Sequence, residues 1–270
     1  MDDNTNALTS RILAAADARS SIPPITDTVP EFGLREAYEV SSLVTERRIA
    51  RGERPVGWKI GFTNTTIWDE YGVHAPIWGP MFDTTVQALA PGETCSLAAL
   101  AEPRIEPEIV FRLARPPGPD MDERAILGCI DAVAHGFEIV QSLFPGWRFK
   151  AADTVAAFAL HGRLGHGPLI PIPRLPAEDW LASLSSFRIT LFRDDAPVDT
   201  GIAANVLGGP LSALRHLVRG MAEYPTGLTL RAGDLITTGT ITRAFPIQPG
   251  ETWRTEVEGL PVPNAIITLS

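Results

Sequence analysis

Ile105-Glu106-Pro107-Glu108-Ile109-Val110-Phe111-Arg112-Leu113 is a short, mostly apolar run with carboxylates at alternate positions. Such a run reads as a strand, and residues two apart in a strand point to the same face. Glu106 and Glu108 therefore converge. Like charges held together on an apolar strand are costly unless something cationic sits between them. Another isolated carboxylate, Glu138, lies in Gly136-Phe137-Glu138-Ile139-Val140, a second strand-like run otherwise free of charge. Carboxylates converging from two strands make an oxygen-rich cage for Mg²⁺ or Mn²⁺, hard cations that keep waters for a substrate to displace. The alternative is an edge strand with Glu106 and Glu108 on its wet face and Glu138 paired with an arginine such as Arg104.

On either side of these runs the texture of the chain changes. Before residue 55 it is helical: Leu8, Ile12 and Leu13, then Ala37, Val40, Leu43 and Val44, recur at helical spacing, with a break at Pro23, Pro24 and Pro30. From Val56 to Phe62 apolar and other residues alternate, and further strands are expected over 136–141, 187–192, 234–240 and 261–269. Helices are expected over 122–134, which opens with acidic residues, and over 210–223, which starts with proline. This order lacks the regular alternation of a doubly wound sheet. It predicts an α+β chain, with a helical portion at 1–54 and a β-rich portion at 55–270. Residues 115–120, with three prolines, read as a surface loop.

The composition restricts the function. Of 270 residues 44% are hydrophobic and 20% charged, a globular balance, and the formal net charge is -9. No basic stripe is present to neutralise phosphates, which argues against nucleic acid as a partner. An anionic substrate would need a local positive centre. Cys95 and Cys129 have no CxxC spacing and read as buried small hydrophobes. The first residues lack the features of a signal peptide, and no apolar run reaches the roughly 18 residues of a membrane span. Neither a membrane nor export is expected, and the cytoplasm is the default compartment.

The phrase Glu102-Pro103-Arg104-Ile105-Glu106-Pro107-Glu108-Ile109-Val110-Phe111 resembles the signature of the 2-keto-4-pentenoate hydratase family, within the fumarylacetoacetate hydrolase superfamily. Further phrases resemble that family in its order: Val56-Gly57-Trp58-Lys59-Ile60-Gly61, residues 76–83, Phe137-Glu138-Ile139-Val140, Asp153-Thr154-Val155-Ala156, and Gly233-Asp234-Leu235-Ile236-Thr237-Thr238-Gly239-Thr240. The resemblance implies a β-rich mixed roll or barrel carrying an N-terminal helical portion, with the catalytic domain at 55–270, assembled as a homo-oligomer. It implies that Glu106, Glu108 and Glu138 bind Mg²⁺ or Mn²⁺, that Lys59 and Asp153 are polar catalytic positions, and that Thr238, Gly239 and Thr240 approach the substrate carboxylate. Ser142 falls in the segment after the third ligand and is expected at the substrate, as is His161. The chain departs from the family at Ala157-Phe158-Ala159-Leu160, where many relatives are polar, and at Gln141-Ser142-Leu143, where many carry Asp-Ser-Arg.

The activity the resemblance implies is hydration of a small anionic 2-hydroxy-2,4-dienoate or 2-oxo-enoate to a 4-hydroxy-2-oxo acid, in aromatic catabolism. The same chemistry would serve a 2-oxo acid decarboxylase of the 4-oxalocrotonate type, an acylpyruvate-type hydrolase, or be lost in a ligand-binding homologue. Read from the residues alone, Lys59 is a charge-stabilising or proton-transferring group if burial lowers its pKa, or an exposed strand lysine. Asp153 orients Lys59 or a water, or caps the turn before Thr154. His135 is expected at the end of a helix, where the dipole favours a cation. Trp147-Arg148-Phe149-Lys150 is a second anionic contact or an amphipathic surface segment.

Overall fold

The computed structural model describes residues 3–65, 68–71, 73–90, 93–224 and 226–270. The chain opens with α1 (Asp3–Ala18) and α2 (Leu34–Ala50), followed by β1 (Pro55–Gly61), α3 (Trp68–Tyr71), β2 (Ile77–Phe82), β3 (Val86–Ala88) and β4 (Thr94–Cys95). β5 (Arg104–Leu113), α4 (Glu123–Leu127), β6 (Ile130–Val140), α5 (Ala151–Ala156), β7 (His161–His166), β8 (Ile170–Pro171) and α6 (Ala177–Ser186) form the middle. β9 (Arg188–Arg193), β10 (Ala196–Ile202), α7 (Pro210–Glu223), β11 (Leu235–Thr240), β12 (Phe245–Pro246), β13 (Thr252–Glu258) and β14 (Ile266–Leu269) complete it. The architecture is α+β, as expected.

The larger, mixed sheet runs β2-β1-β11-β5-β6-β7-β3, with β12 added to β5 and β8 to β6; the smaller runs β10-β9-β13-β14-β4. Strand alternation explains how they meet. Ile105 on β5 and Phe137 and Ile139 on β6 join Leu191, Trp253, Ile267 and Leu269 of the smaller sheet in one apolar cluster. Glu106, Glu108 and Glu138 take the intervening positions and point to the other face. The N-terminal helices bury Leu8, Ile12, Leu13, Ala37, Val40 and Val44 in the same core as Trp58 and Ile60 of β1. α7 adds Leu211, Leu214 and Leu217.

The helix expected over 122–134 is only its first turn or so. Asp122 caps α4 by accepting from Ala125 N at 2.8 Å, but Gly128 follows the helix and β6 starts at Ile130. Pairing decides this: Ile130 and Val133 lie opposite Leu113 and Phe111 of β5, so β-branched residues that could join a helix are taken by the sheet. His135 thus lies within a strand, not at a helix end. The strand expected over 261–269 shrinks to β14, because Pro261 and Pro263 have no N–H to donate. Among the described residues no helix is long and apolar enough to cross a membrane.

Candidate metal centre and active site

In the β5–β6 register Glu106 lies opposite Glu138 and Glu108 opposite Gly136. One oxygen from each of Glu106, Glu108 and Glu138 lies within 4.8 Å of the others. β11 reaches the same cluster from the other side of β5. Between Thr237 and Thr240 its pairing slips, and the irregularity turns the Gly239 N–H onto Glu108 Oε2 at 2.6 Å. Gly239 has φ +95°, and a Cβ there would lie 1.7 Å from Thr63 Oγ1, so only glycine fits. Lys59 extends from β1, buried, with Nζ 3.5 Å from Glu138 Oε2.

The electrostatics follow from crowding charges out of water. Burial pushes Glu106 up to about 7 against the opposing pull of Lys59. Burial, reinforced by Glu138 and Glu106, pushes Glu108 well above the carboxylate range. Glu138 is also penalised by burial, but the Lys59 charge and the His161 hydrogen bond more than offset it and hold it at about 2. Burial alone would lower Lys59; the carboxylates of Glu138, Glu106 and Glu108 outweigh it, so the pKa is raised and Lys59 is a fixed ammonium. The lowering by burial that would help proton transfer does not prevail, since a carboxylate lies 3.5 Å from the ammonium and two more are near it.

A divalent cation suits this set. Glu108 Oε1 is buried without a hydrogen-bond partner, and Glu138 Oε2 has only the Lys59 ammonium, 3.5 Å away. An oxygen left orphaned in a dry site is expensive, and hard oxygen donors are what Mg²⁺ or Mn²⁺ takes. Through Glu106 and Lys59 the cluster borders a cleft lined by Phe62, Ile77, Trp147, Phe149, Ala159 and Leu160, with Thr63, Asn64, Arg104 and Thr240 as its other polar side chains. Phe62, Trp147, Ala159 and Leu160 in this wall all have φ between 50° and 65°, strained for non-glycine residues.

Several expected site residues have other work. Asp153 is not at Lys59: it accepts from Thr26 N (3.0 Å), Thr26 Oγ1 (2.8 Å) and Lys150 N (2.8 Å), capping α5 and tying it to the N-terminal segment. Ser142 closes a local turn, donating to Phe144 O at 2.8 Å and accepting from Phe144 N. Thr238 donates to Ile109 O at 3.0 Å across the sheet. Thr240 lines the cleft but donates to Thr242 O at 2.9 Å. His161 meets Glu138 rather than the cleft, with Nδ1 2.7 Å from Oε1. His135 is held between Glu108 O and Thr255 Oγ1, and burial lowers its pKa to about 4, the opposite of a stabilised cation. Thr63, Asn64 and the cleft position of Arg104 were not anticipated. Thr63 and Asn64 follow Lys59 closely, which is the signal available for them.

Comparison with known proteins identifies the family. A sequence model described as fumarylacetoacetate (FAA) hydrolase C-terminal matches residues 72–267. The chain belongs to the fumarylacetoacetate hydrolase family. It is 34% identical over 253 residues to a 2-keto-4-pentenoate hydratase of Paraburkholderia xenovorans, covering 91% of this chain and 88% of that protein. It is 31% identical over 255 residues to a 4-oxalocrotonate decarboxylase of a Pseudomonas species, covering 94% of each. A solved structure of 4-oxalocrotonate decarboxylase from Pseudomonas putida, complexed with magnesium and adipate, superimposes with a TM-score of 0.89 at 27% identity, covering 99% of this chain and 98% of that one. Hydratases and decarboxylases are both lyases, and this member of the fumarylacetoacetate hydrolase family is an enzyme of that class, similar to 2-keto-4-pentenoate hydratase.

Proposed function

We propose that this enzyme is a divalent-metal-dependent hydratase that converts a 2-hydroxy-2,4-dienoate into a 4-hydroxy-2-oxo acid. The observation that supports it best is a pair of buried carboxylate oxygens, Glu108 Oε1 without a hydrogen bond and Glu138 Oε2 met only by the Lys59 ammonium, beside a largely apolar cleft. Residues 55–270 would form the catalytic portion, with 1–54 packed on it, in a homo-oligomer whose size light scattering would report.

Glu106, Glu108 and Glu138 would hold the ion, which when bound supplies Lewis-acid stabilisation of negative charge on the substrate's C2 oxygen. In the metal-free cluster the carboxylates favour the ammonium form of Lys59, so it would serve as a positive charge and proton donor beside the substrate. Phe62, Ile77, Trp147, Phe149 and Leu160 keep bulk water away, which strengthens every charge interaction at the cluster. In the reaction the enol loses its O2 proton and C5 gains one, giving a 2-oxo-3-enoate. One water then adds its oxygen at C4 and its proton at C3.

Arg104 favours a second reading, decarboxylation of a 2-oxo diacid. Its guanidinium lies 4.1 Å over the Trp147 ring at the cleft, where a second substrate carboxylate would find a partner. The test is to give chelator-stripped protein 2-hydroxypenta-2,4-dienoate with and without Mg²⁺ or Mn²⁺, following dienoate absorbance and product mass. Metal-dependent gain of one water supports the hydratase. Persistence of the dienoate despite bound metal, with CO₂ release from a 2-oxo-enedioate, supports the second reading.

A further inference from the structure

We propose that His161 is a positioning residue that fixes the carboxylate of Glu138 by one oxygen, so that the other, which faces Lys59, is aimed at the divalent cation. The inference rests on reading Glu106, Glu108 and Glu138 as the metal cage. Its basis is a repeated pattern at the two buried acids. Glu108 has Oε2 tied by the Gly239 N–H at 2.6 Å, while its Oε1 has no partner. Glu138 has Oε1 tied by His161 Nδ1 at 2.7 Å, while its Oε2 has no hydrogen-bond partner and faces Lys59. In each acid a donor fixes one oxygen and the other is left toward the cluster. His161 does for Glu138 what a backbone amide does for Glu108.

The ring is itself held. An ionised carboxylate can only accept, so the shared proton lies on Nδ1, while Nε2 lies 2.9 Å from Thr85 Oγ1. Thr85 Oγ1 is anchored in turn at Phe82, lying 3.3 Å from its N and 3.0 Å from its O. Both ring nitrogens are engaged and the side chain is buried, so rotation of the imidazole would break both contacts. The turn leading to this residue now has a purpose. Phe158, Ala159 and Leu160 have φ of 60°, 50° and 65° in succession, a left-handed run unfavourable for residues with a Cβ. It places Leu160 on the cleft and starts β7 at His161, next to β6. Ala157 to Leu160 carry no polar side chain, and the histidine that follows supplies a polar contact from outside the cleft.

Calorimetric titration of chelator-stripped protein with Mn²⁺ tests this, alongside thermal unfolding. His161→Ala should weaken Mn²⁺ binding by about 10- to 100-fold, the usual effect of losing a group that orients a metal ligand. His161→Asn, whose amide can reproduce the Nδ1 donor, should recover most of the affinity, and Thr85→Val should fall between the two. At saturating Mn²⁺ the alanine variant should regain much of its kcat, a split that lost packing alone would not give. Binding by His161→Ala within about twofold of wild type, or equal weakening in the alanine and asparagine variants, overturns the inference while leaving the cage intact. Wild-type protein that binds no Mn²⁺ overturns both the cage and the inference. Should His161→Ala not fold, the asparagine and Thr85→Val variants decide.

Discussion

Gly239 is the most sterically constrained residue of the site, and its replacement by alanine has two separable effects. The new Cβ would collide with Thr63 Oγ1, at 1.7 Å, on backbone with φ +95°. Gly239→Ala should therefore lower stability by about 3 kcal/mol or more, read as a fall in denaturation midpoint, and loosen the amide from Glu108. Among the described residues Glu138 has one ion-pair partner besides His161, and Lys59→Met removes it. A roughly 100-fold loss of kcat/KM is expected, the size of a positioned proton donor. Its Tm should fall further in chelator-stripped than in metal-loaded protein, because a bound cation would replace the missing charge. His135 provides a pH signature. Burial lowers its folded pKa to about 4 from the ordinary 6.5. As the pH falls the unfolded chain binds that proton first, so the stability that neutral His135 contributes is full above about pH 6.5 and is lost on the way to about pH 4. Urea midpoints measured across that window should decline in wild type and decline less in His135→Gln.

Elements show where local pattern and tertiary pairing part company. The alternation in β5 was readable because every second residue meets a different environment, apolar sheet on one side and acid cluster on the other. Apolar spacing in the 122–134 segment suits both helix and strand, and only β5 as a partner makes residues from Ile130 a strand. The Phe158–Leu160 turn had no local signal at all, since none of its residues favours positive φ. Its packing on β2 can be tested. A Cβ on Gly79 would approach Ala159 Cβ and Phe158 O at 3.0 Å each. Gly79→Ala should lower the Tm and raise KM by moving Ala159 and Leu160 in the cleft wall. Adding Ala159→Gly should recover part of both, and full additivity of the two changes would disprove the contact.

For the whole molecule, the site is a property of strand order. Lys59, Gly239, Glu106 with Glu108, Glu138 and His161 come from β1, β11, β5, β6 and β7, which are consecutive neighbours in the larger sheet although scattered along the chain. Binding a cation to this assembled face and not to the unfolded chain should stabilise the fold. Mg²⁺ or Mn²⁺ at about 100 times its Kd is worth roughly 2.7 kcal/mol, visible as a rise in Tm that Glu108→Gln abolishes and excess chelator reverses. The amino-acid sequence by itself determined the α+β class, the helical beginning of the chain and the convergence of Glu106 with Glu108, since each is written in a period of 2 or 3.6 residues. Only the tertiary structure decided that Lys59 stays charged, that Asp153 caps α5 and holds Thr26 from 127 residues away, and that His161 grips Glu138. Periodicity reports which face a side chain is on. Its charge state and its partner depend on burial and on what other strands bring to that face, and neither is encoded within a local window of sequence.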